Sequence, residues 1–352
     1  MVLDYLKQNW QHLELQRFGE PASLSFVMAT PRFRASSHLI FFILSKSRSK
    51  PILVVKVPRI QGDNSRLDRE ASNLRFVHSA RPGGFATIPN VVAYEDYLSN
   101  RLLIETAMTC DTMRRAIVRR QPEVCIDAVL DWLLELQQAT KRRDRDHWFE
   151  DLVKQPLNDF QTVFPSTADE DYLFEQTRKI ADGLLNKDLP FVCEHGDLSS
   201  PNILMGEKNE IAVVDWELAE PQGLPAVDLF FFLTYVAFAR RGARKSDQCV
   251  AAFHDAFFGK NSWTVPHIRR YSETLGVQPG ALKPLFVLCW ARYVAGLVRR
   301  LTSMTSDYET LSEKEAVWLR ENRYYALWLH TIEHFDELSL CDMPGDSSKQ
   351  VI

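Results

Sequence analysis

Glu194-His195-Gly196-Asp197-Leu198-Ser199-Ser200-Pro201-Asn202-Ile203-Leu204 is the stretch on which the reading of this 352-residue chain turns. It follows the apolar run Leu189–Cys193 and precedes a second one, Ile211–Val214, which ends in Asp215-Trp216-Glu217. Both runs are short enough to be buried strands, so the polar residues fall on loops at strand ends. There a carboxylate can accept a proton, and Asp and Asn oxygens suit a hard divalent cation. Alone, an Asp after a strand is ordinarily a turn former, and His195 reads as a hydrogen-bonded scaffold residue. The information lies in the combination of Asp-x₄-Asn on one strand–loop unit with Asp on the next.

Upstream, three runs rich in β-branched and aromatic residues read as strands: Leu24–Ala29, His38–Ser45 and Ile52–Val57. A hairpin loop, SKSRSK (45–50), joins the last two. Residues 1–19 predict a short amphipathic helix, and Asp63–Ser79 a second helix closed by the turn signal Arg81-Pro82-Gly83-Gly84. Strands at Asn90–Tyr94 and Arg101–Thr106 complete a small antiparallel sheet. From about Thr109 the pattern becomes helical, with helices expected over 123–140, 146–164, 171–186, 225–240, 247–258, 266–275, 281–304 and 312–337. The expected architecture is α+β and bilobal: a five-stranded antiparallel N-lobe with one helix over residues 1–107, a mostly helical C-lobe over 108–341 carrying the catalytic loop, and a polar tail over 342–352.

Phosphoryl transfer needs a group that takes the proton of the attacking hydroxyl and oxygen ligands that hold Mg²⁺ against the phosphates. Asp197 and Asn202 have the spacing of the protein-kinase catalytic loop, and Asp215 follows the next strand. HGDLSSPNIL with VVDWE resembles the catalytic and metal-binding motifs of the aminoglycoside phosphotransferase and choline kinase family, whose fold is protein-kinase-like. Protein kinases carry Arg at Gly196 and Phe-Gly in place of Trp216-Glu217. The resemblance implies that Asp197 is the catalytic base, that Asn202 and Asp215 hold Mg²⁺, that ATP is the donor, and that Asp228 braces the catalytic loop.

The N-lobe carries its own signal. Lys56 is a charge inside the apolar strand ILVVKVP, on the face opposite Val55 and Val57. On the following helix Leu67, Glu70, Ala71 and Leu74 fall at i, i+3, i+4 and i+7, which puts Glu70 at a buried face where an unpaired carboxylate is costly. Lys56 is its natural partner, and a kinase needs such a Lys at the α/β-phosphates. LLIETAM (102–108) resembles the family's hinge, which implies adenine contacts through the backbone of Glu105 and Ala107. The loop Ala29–His38 contains no glycine. Ser36 and Ser37 are the residues there expected to reach the phosphates.

Net charge −4 gives no electrostatic footprint for nucleic acid. Six cysteines without a Cys-x-x-Cys pair, and a start without an apolar h-region, read as a reduced, cytoplasmic, non-membrane protein. The most apolar run, Leu229–Ala239, is too short to span a bilayer and reads as a core helix. The phosphate acceptor is expected to be a small molecule with a hydroxyl group, near walls drawn from Trp216, Glu217, Trp290 and Tyr293. Trp318, Tyr325 and Trp328 fall at helical spacing and read as core. A peptide or protein Ser/Thr acceptor, and a nucleotide-binding pseudokinase scaffold, are the alternatives. Oligomeric state is not legible.

Overall fold

The computed structural model describes residues 2–30, 38–46, 48–259, 262–302 and 310–341. Ser36 and Ser37, and the tail from 342, lie outside these. The chain forms two compact units: Met1–Met113 with Ser200–Pro221, and Arg114–Ser199 with Gln222–Ile352. The segment 200–221, far along the chain, therefore packs with the N-terminal unit.

The first unit opens with helix α1 (Val2–Asn9) and a 3₁₀ turn, Leu15–Phe18, in place of one helix to residue 19. Strands β1 (Leu24–Ala29), β2 (His38–Ser45), β3 (Leu53–Pro58), β4 (Val91–Tyr97) and β5 (Asn100–Thr106) form an antiparallel sheet in the order β1-β2-β3-β5-β4. Helix α2 (Ser65–Ser79) lies between β3 and β4 in the chain. Alternation along the strands divides the apolar side chains between two faces. Phe41, Ile43, Leu53, Val55, Leu102 and Ile104 pack with Leu6, Trp10 and Leu15 on one face. Leu103 packs with Leu67 and Ala71 of α2 on the other. Lys56 is directly opposite Leu103 in the β3–β5 register, so it shares the α2 face. A small second sheet joins β6 (Asp111–Thr112), β8 (Ile203–Met205) and β9 (Ile211–Val213), with Ile203 opposite Val213.

The second unit is helical. It contains α3 (Arg115–Arg120), α4 (Pro122–Thr140), α5 (Gln155–Val163), α6 (Ala168–Asp182), strand β7 (Val192–Glu194), α7 (Val227–Arg241), α8 (Ser246–Phe257), α9 (Val265–Leu275), α10 (Pro279–Thr302), α11 (Glu313–Arg320) and α12 (Arg323–Glu333). Strand β10 (Glu220–Gly223) runs across the boundary between the units. Every residue of α7 from Val227 to Ala239 is buried, as its uninterrupted apolar run requires.

Three helix boundaries differ from the periodic pattern for local reasons. The expected helix over 146–164 begins instead as a π-helical turn, Glu150–Lys154, ahead of α5. Pro156 has no N–H to close an i→i−4 bond onto Leu152, and the turn before it widens. Helix α6 starts ahead of Asp171 because the Thr167 N–H donates to the Glu170 carboxylate (2.8 Å). The single helix expected over 312–337 is broken between α11 and α12. Asn322 caps α12 there, its side-chain oxygen accepting the Tyr324 N–H at 2.9 Å. Helix α10 is the one described helix long and apolar enough to cross a membrane. In the fold 72% of its most apolar stretch is buried, so it serves as a core helix.

Candidate active site

In the first unit, one cation is surrounded by carboxylates. Lys56, 4% exposed, donates to the Glu70 carboxylate, which is fully buried. Glu105 approaches the same ammonium at 3.7 Å and Asp215 at 3.8 Å. Glu70 also accepts the N–H of Trp216 at 3.0 Å, which ties α2 to the residue after Asp215. Asn73, one turn further along α2, donates to the carbonyls of Trp216 (2.9 Å) and Ala219 (3.0 Å). Helix α2 therefore holds the 215–219 segment by side-chain bonds to its backbone.

Burial alone would lower the Lys56 pKa, but Glu105, Glu70 and Asp215 drive it up instead, so the ammonium stays charged. Burial raises both glutamates. At Glu70 the close ammonium and the Trp216 N–H oppose that rise. At Glu105 burial dominates, the ammonium is farther away, and the carboxyl is pushed up to about 8. A proton held there at neutral pH relieves the excess negative charge of two buried carboxylates around one ammonium.

The same shift sets a pH dependence. Between the unfolded carboxyl value and about 8 the folded state holds a proton that the unfolded state has released. Stability therefore falls as pH rises through that window. Glu105→Gln keeps the shape and removes the titration. Urea unfolding between pH 5 and pH 8 is expected to show a smaller loss in this variant than in the wild type. Equal slopes would put the proton elsewhere.

The sequence gives Glu105 and Ala107 backbone roles at the adenine edge; in the structure the Glu105 carboxylate and the Ala107 N–H have partners within the first unit. Glu105 is paired on both sides, with Val54 of β3 and Val91 of β4, and its side chain turns toward Lys56. Ala107 already donates its N–H to the Ile52 carbonyl at 3.3 Å. The side-chain position of Glu105 follows from strand alternation, two residues beyond Leu103 on the α2 face. That signal becomes readable only once the β3–β5 register is known.

Asp215 adopts a left-handed backbone (φ 70°), a conformation that costs energy for a non-glycine residue and clusters at functional sites. Asn202 is buried and precedes β8, and its carbonyl accepts the Val214 N–H at 3.0 Å. The β8–β9 ladder thus sets Asn202 beside the strand end that carries Asp215. Glu217 stands 3.5 Å from Arg66 and 3.6 Å from His38. One ligand atom each of His38, Asp215 and Glu217 falls within 4.8 Å of the others. Oδ1 of Asp215 and Oε2 of Glu217 are buried without a hydrogen bond from any described residue. Burial, and then Asp215, raises Glu217 to about 7, whereas burial and Lys56 lower His38 to about 4. His38, the first residue of β2, was not singled out in the sequence.

In the second unit Asp197 follows Gly196, whose φ of +82° favours glycine. Asp228, 1% exposed, accepts the N–H of His195 at 2.7 Å and of Gly196 at 2.9 Å. His195 Nδ1 accepts the Asp197 N–H at 3.3 Å, and Asp197 accepts the Ser199 N–H on its carbonyl at 2.8 Å. The loop conformation is thereby held from one side by Asp228 and from within by His195. Glu194 bonds Arg292 at 2.9 Å and accepts the Leu224 N–H at 3.2 Å. The negative charge of Asp197 helps to raise the hydroxyl pKa of Tyr293 and Tyr324, after burial, which places both phenols in its field.

Two of the expected wall residues are corrected by their burial. Trp216 and Trp290 are both 0% exposed. The Trp216 indole donates to Val213 O at 3.1 Å. Trp290 packs against Phe253 (5.3 Å), Phe286 (5.9 Å) and Phe231 (6.0 Å). Both are core. Tyr293 remains in the field of Asp197, its ring tilted against that of Tyr324 with centroids 4.5 Å apart, and Tyr324 is a residue the sequence pattern did not single out. Tyr325 and Trp328 are buried, with hydrogen bonds to Glu170 and Thr177.

The sequence matches the family model of the phosphotransferase enzyme family over residues 35–267, about two thirds of the chain. The fold is similar to that of the choline kinase LicA from Streptococcus pneumoniae, with TM-score 0.55 and 11% identity, covering 93% of this chain and 99% of that one. It is also similar to aminoglycoside 2'-phosphotransferase-IIIa, solved as a GDP complex, with TM-score 0.53 and 15% identity, covering 91% and 99%. No curated protein gives a match. The fold is thus kinase-like, and the class is that of phosphotransferases with an alcohol group as acceptor. The chain belongs to the phosphotransferase enzyme family.

Proposed function

We propose that the protein transfers the γ-phosphate of ATP, with Mg²⁺, to a hydroxyl of a small molecule. The observation that carries this reading is the buried Lys56–Glu70 pair with Asp215 against its ammonium. A purely structural ion pair has no need of a third, strained and half-exposed carboxylate. The donor set fits the metal: two buried carboxylate oxygens, on Asp215 and Glu217, lack a hydrogen-bond partner among the described residues. Asp215 and Asn202 would hold Mg²⁺, with Glu217 beside them. When bound, the ion neutralises phosphate charge and orients the transferring group.

The chain's own residues do the rest. Lys56, kept charged, offers an ammonium to phosphate oxygens, and Glu70 fixes its direction. Glu105 belongs to the same nucleotide-facing group through Lys56, and Ala107 stands at the end of β5. Ser36 and Ser37 are proposed for the phosphate loop on sequence alone. Asp197 orients the acceptor hydroxyl and takes its proton as the bond to phosphorus forms. Asp228 keeps the backbone of residues 195–196 in place so that Asp197 points consistently. Tyr293 and Tyr324 are proposed as the wall on which the acceptor rests. The choline kinase and aminoglycoside phosphotransferase folds favour a small acceptor. Six cysteines outside any disulfide are consistent with a cytoplasmic setting.

The test is thermal unfolding with ATP, ADP or GTP, each with Mg²⁺ or EDTA, for wild type and Asp215→Ala. A wild-type shift that needs both nucleotide and Mg²⁺ is expected, of the size given by ligand excess over Kd. The Asp215→Ala protein is expected to lose it. A wild type that shows no shift with any nucleotide would remove this reading.

A further inference from the structure

A second group of ligand-type side chains lies in the helical unit, apart from the residues discussed above. His330-Thr331-Ile332-Glu333-His334 ends α12, and the i, i+3, i+4 spacing brings His330, Glu333 and His334 to one side of the helix. One nitrogen of each imidazole and one Glu333 carboxylate oxygen lie within 4.8 Å of one another. Both imidazoles are held by partners outside this trio. His334 Nδ1 is 2.9 Å from the Glu337 carboxylate, which leaves Nε2 as its ligand atom. His330 Nε2 is 3.0 Å from His254 Nδ1, on α8. A single proton fits between those two nitrogens, so at least one of these rings is neutral.

A carboxylate or second imidazole behind a ligating histidine is the arrangement that orients metal-binding imidazoles and raises their basicity. The face is open to solvent, with His334 37% and Glu337 58% exposed at the side chain. The chain around it is stitched to the end of α8. Gly259 donates to the Glu337 carbonyl at 3.1 Å, and Ser339 donates to the Phe257 carbonyl at 2.9 Å.

We propose that His330, Glu333 and His334 form a binding site for a zinc-like divalent transition-metal ion, with His254 and Glu337 orienting the two imidazoles. Imidazole with carboxylate favours zinc, copper or nickel over Mg²⁺, so this site differs in chemistry from the oxygen-rich group around Asp215. A bound ion would fix the end of α12, where His330 meets His254 of α8 and His334 meets Glu337.

The experiment is calorimetric titration of Zn²⁺ into the chelator-stripped full-length protein. It is carried out in the Asp215→Asn background so that the other acidic group does not compete. One equivalent is expected to bind and to raise the unfolding midpoint. Glu333→Gln and His334→Ala are expected to abolish that binding, and Glu337→Gln to weaken it ~10–100-fold, as for loss of an orienting partner. Glu333 is exposed, so its variant reports on binding without a folding defect, and metal-free melting checks the others. Absence of zinc binding, or binding unchanged in both Glu333→Gln and His334→Ala, would overturn the proposal.

Discussion

Asp197→Ala is expected to lower kcat for phosphate transfer by at least ~100-fold, the lower bound for loss of a positioned base, while nucleotide affinity is nearly kept. The separation follows from where the residue sits. Asp197 is on the loop of the helical unit, and its backbone is fixed by His195 and Ser199. The proposed nucleotide-facing cluster of Lys56, Glu70 and Glu105 belongs to the other unit. Removing the carboxylate leaves the two Asp228 bonds to the loop backbone untouched. The loss is therefore expected in the chemical step, with an unaltered melting profile. Single-turnover transfer to the best acceptor from a panel of hydroxylated metabolites measures it, alongside the nucleotide-induced thermal shift. A variant that turned over at the wild-type rate would strip Asp197 of its role.

Lys56→Met is expected to give the largest stability change. The methionine keeps most of the side-chain volume, so little cavity is created. What disappears is the counter-charge of the fully buried Glu70, while Glu105 carries its own proton up to about pH 8. Breaking a buried pair by removing one partner costs ~3–5 kcal/mol. The cost depends on pH in a defined direction. Without the ammonium both carboxylates bind protons more readily, so protonation relieves the penalty and the deficit shrinks as pH falls. Urea unfolding at pH 5.5 and pH 8 checks both statements. A deficit of the same size at both values would mean that the carboxylates are already neutral in the wild type.

Much of the architecture is written locally. Strands β1 and β2 are bounded by turn chemistry and rich in β-branched and aromatic residues, so their ends are readable without knowledge of their partners. The meeting of Lys56 and Glu70 follows from two periods, two residues in β3 and 3.6 in α2, each pointing a charge at a buried face. The Asp-x₄-Asn spacing of Asp197 and Asn202 stands out because its residue types and spacing suit one chemistry. The breaks at Pro156 and Asn322 were present in the chain but hidden inside patterns that are apolar-periodic on both sides.

Other features were decided by tertiary packing. The β3–β5 register turns the Glu105 carboxyl toward Lys56, and no local pattern states that register. The return of residues 200–221 to the N-terminal unit depends on pairing between β6, β8 and β9, segments distant in the chain. Trp216 and Trp290 looked suited to a binding wall until burial showed them to be core. The encounter of His254 with His330 likewise requires α8 to lie against α12. Local propensity and period determine where a side chain points relative to its own element. Which element stands opposite is settled by the long-range burial of apolar surface, and only that meeting turns a solitary charge or imidazole into part of a site.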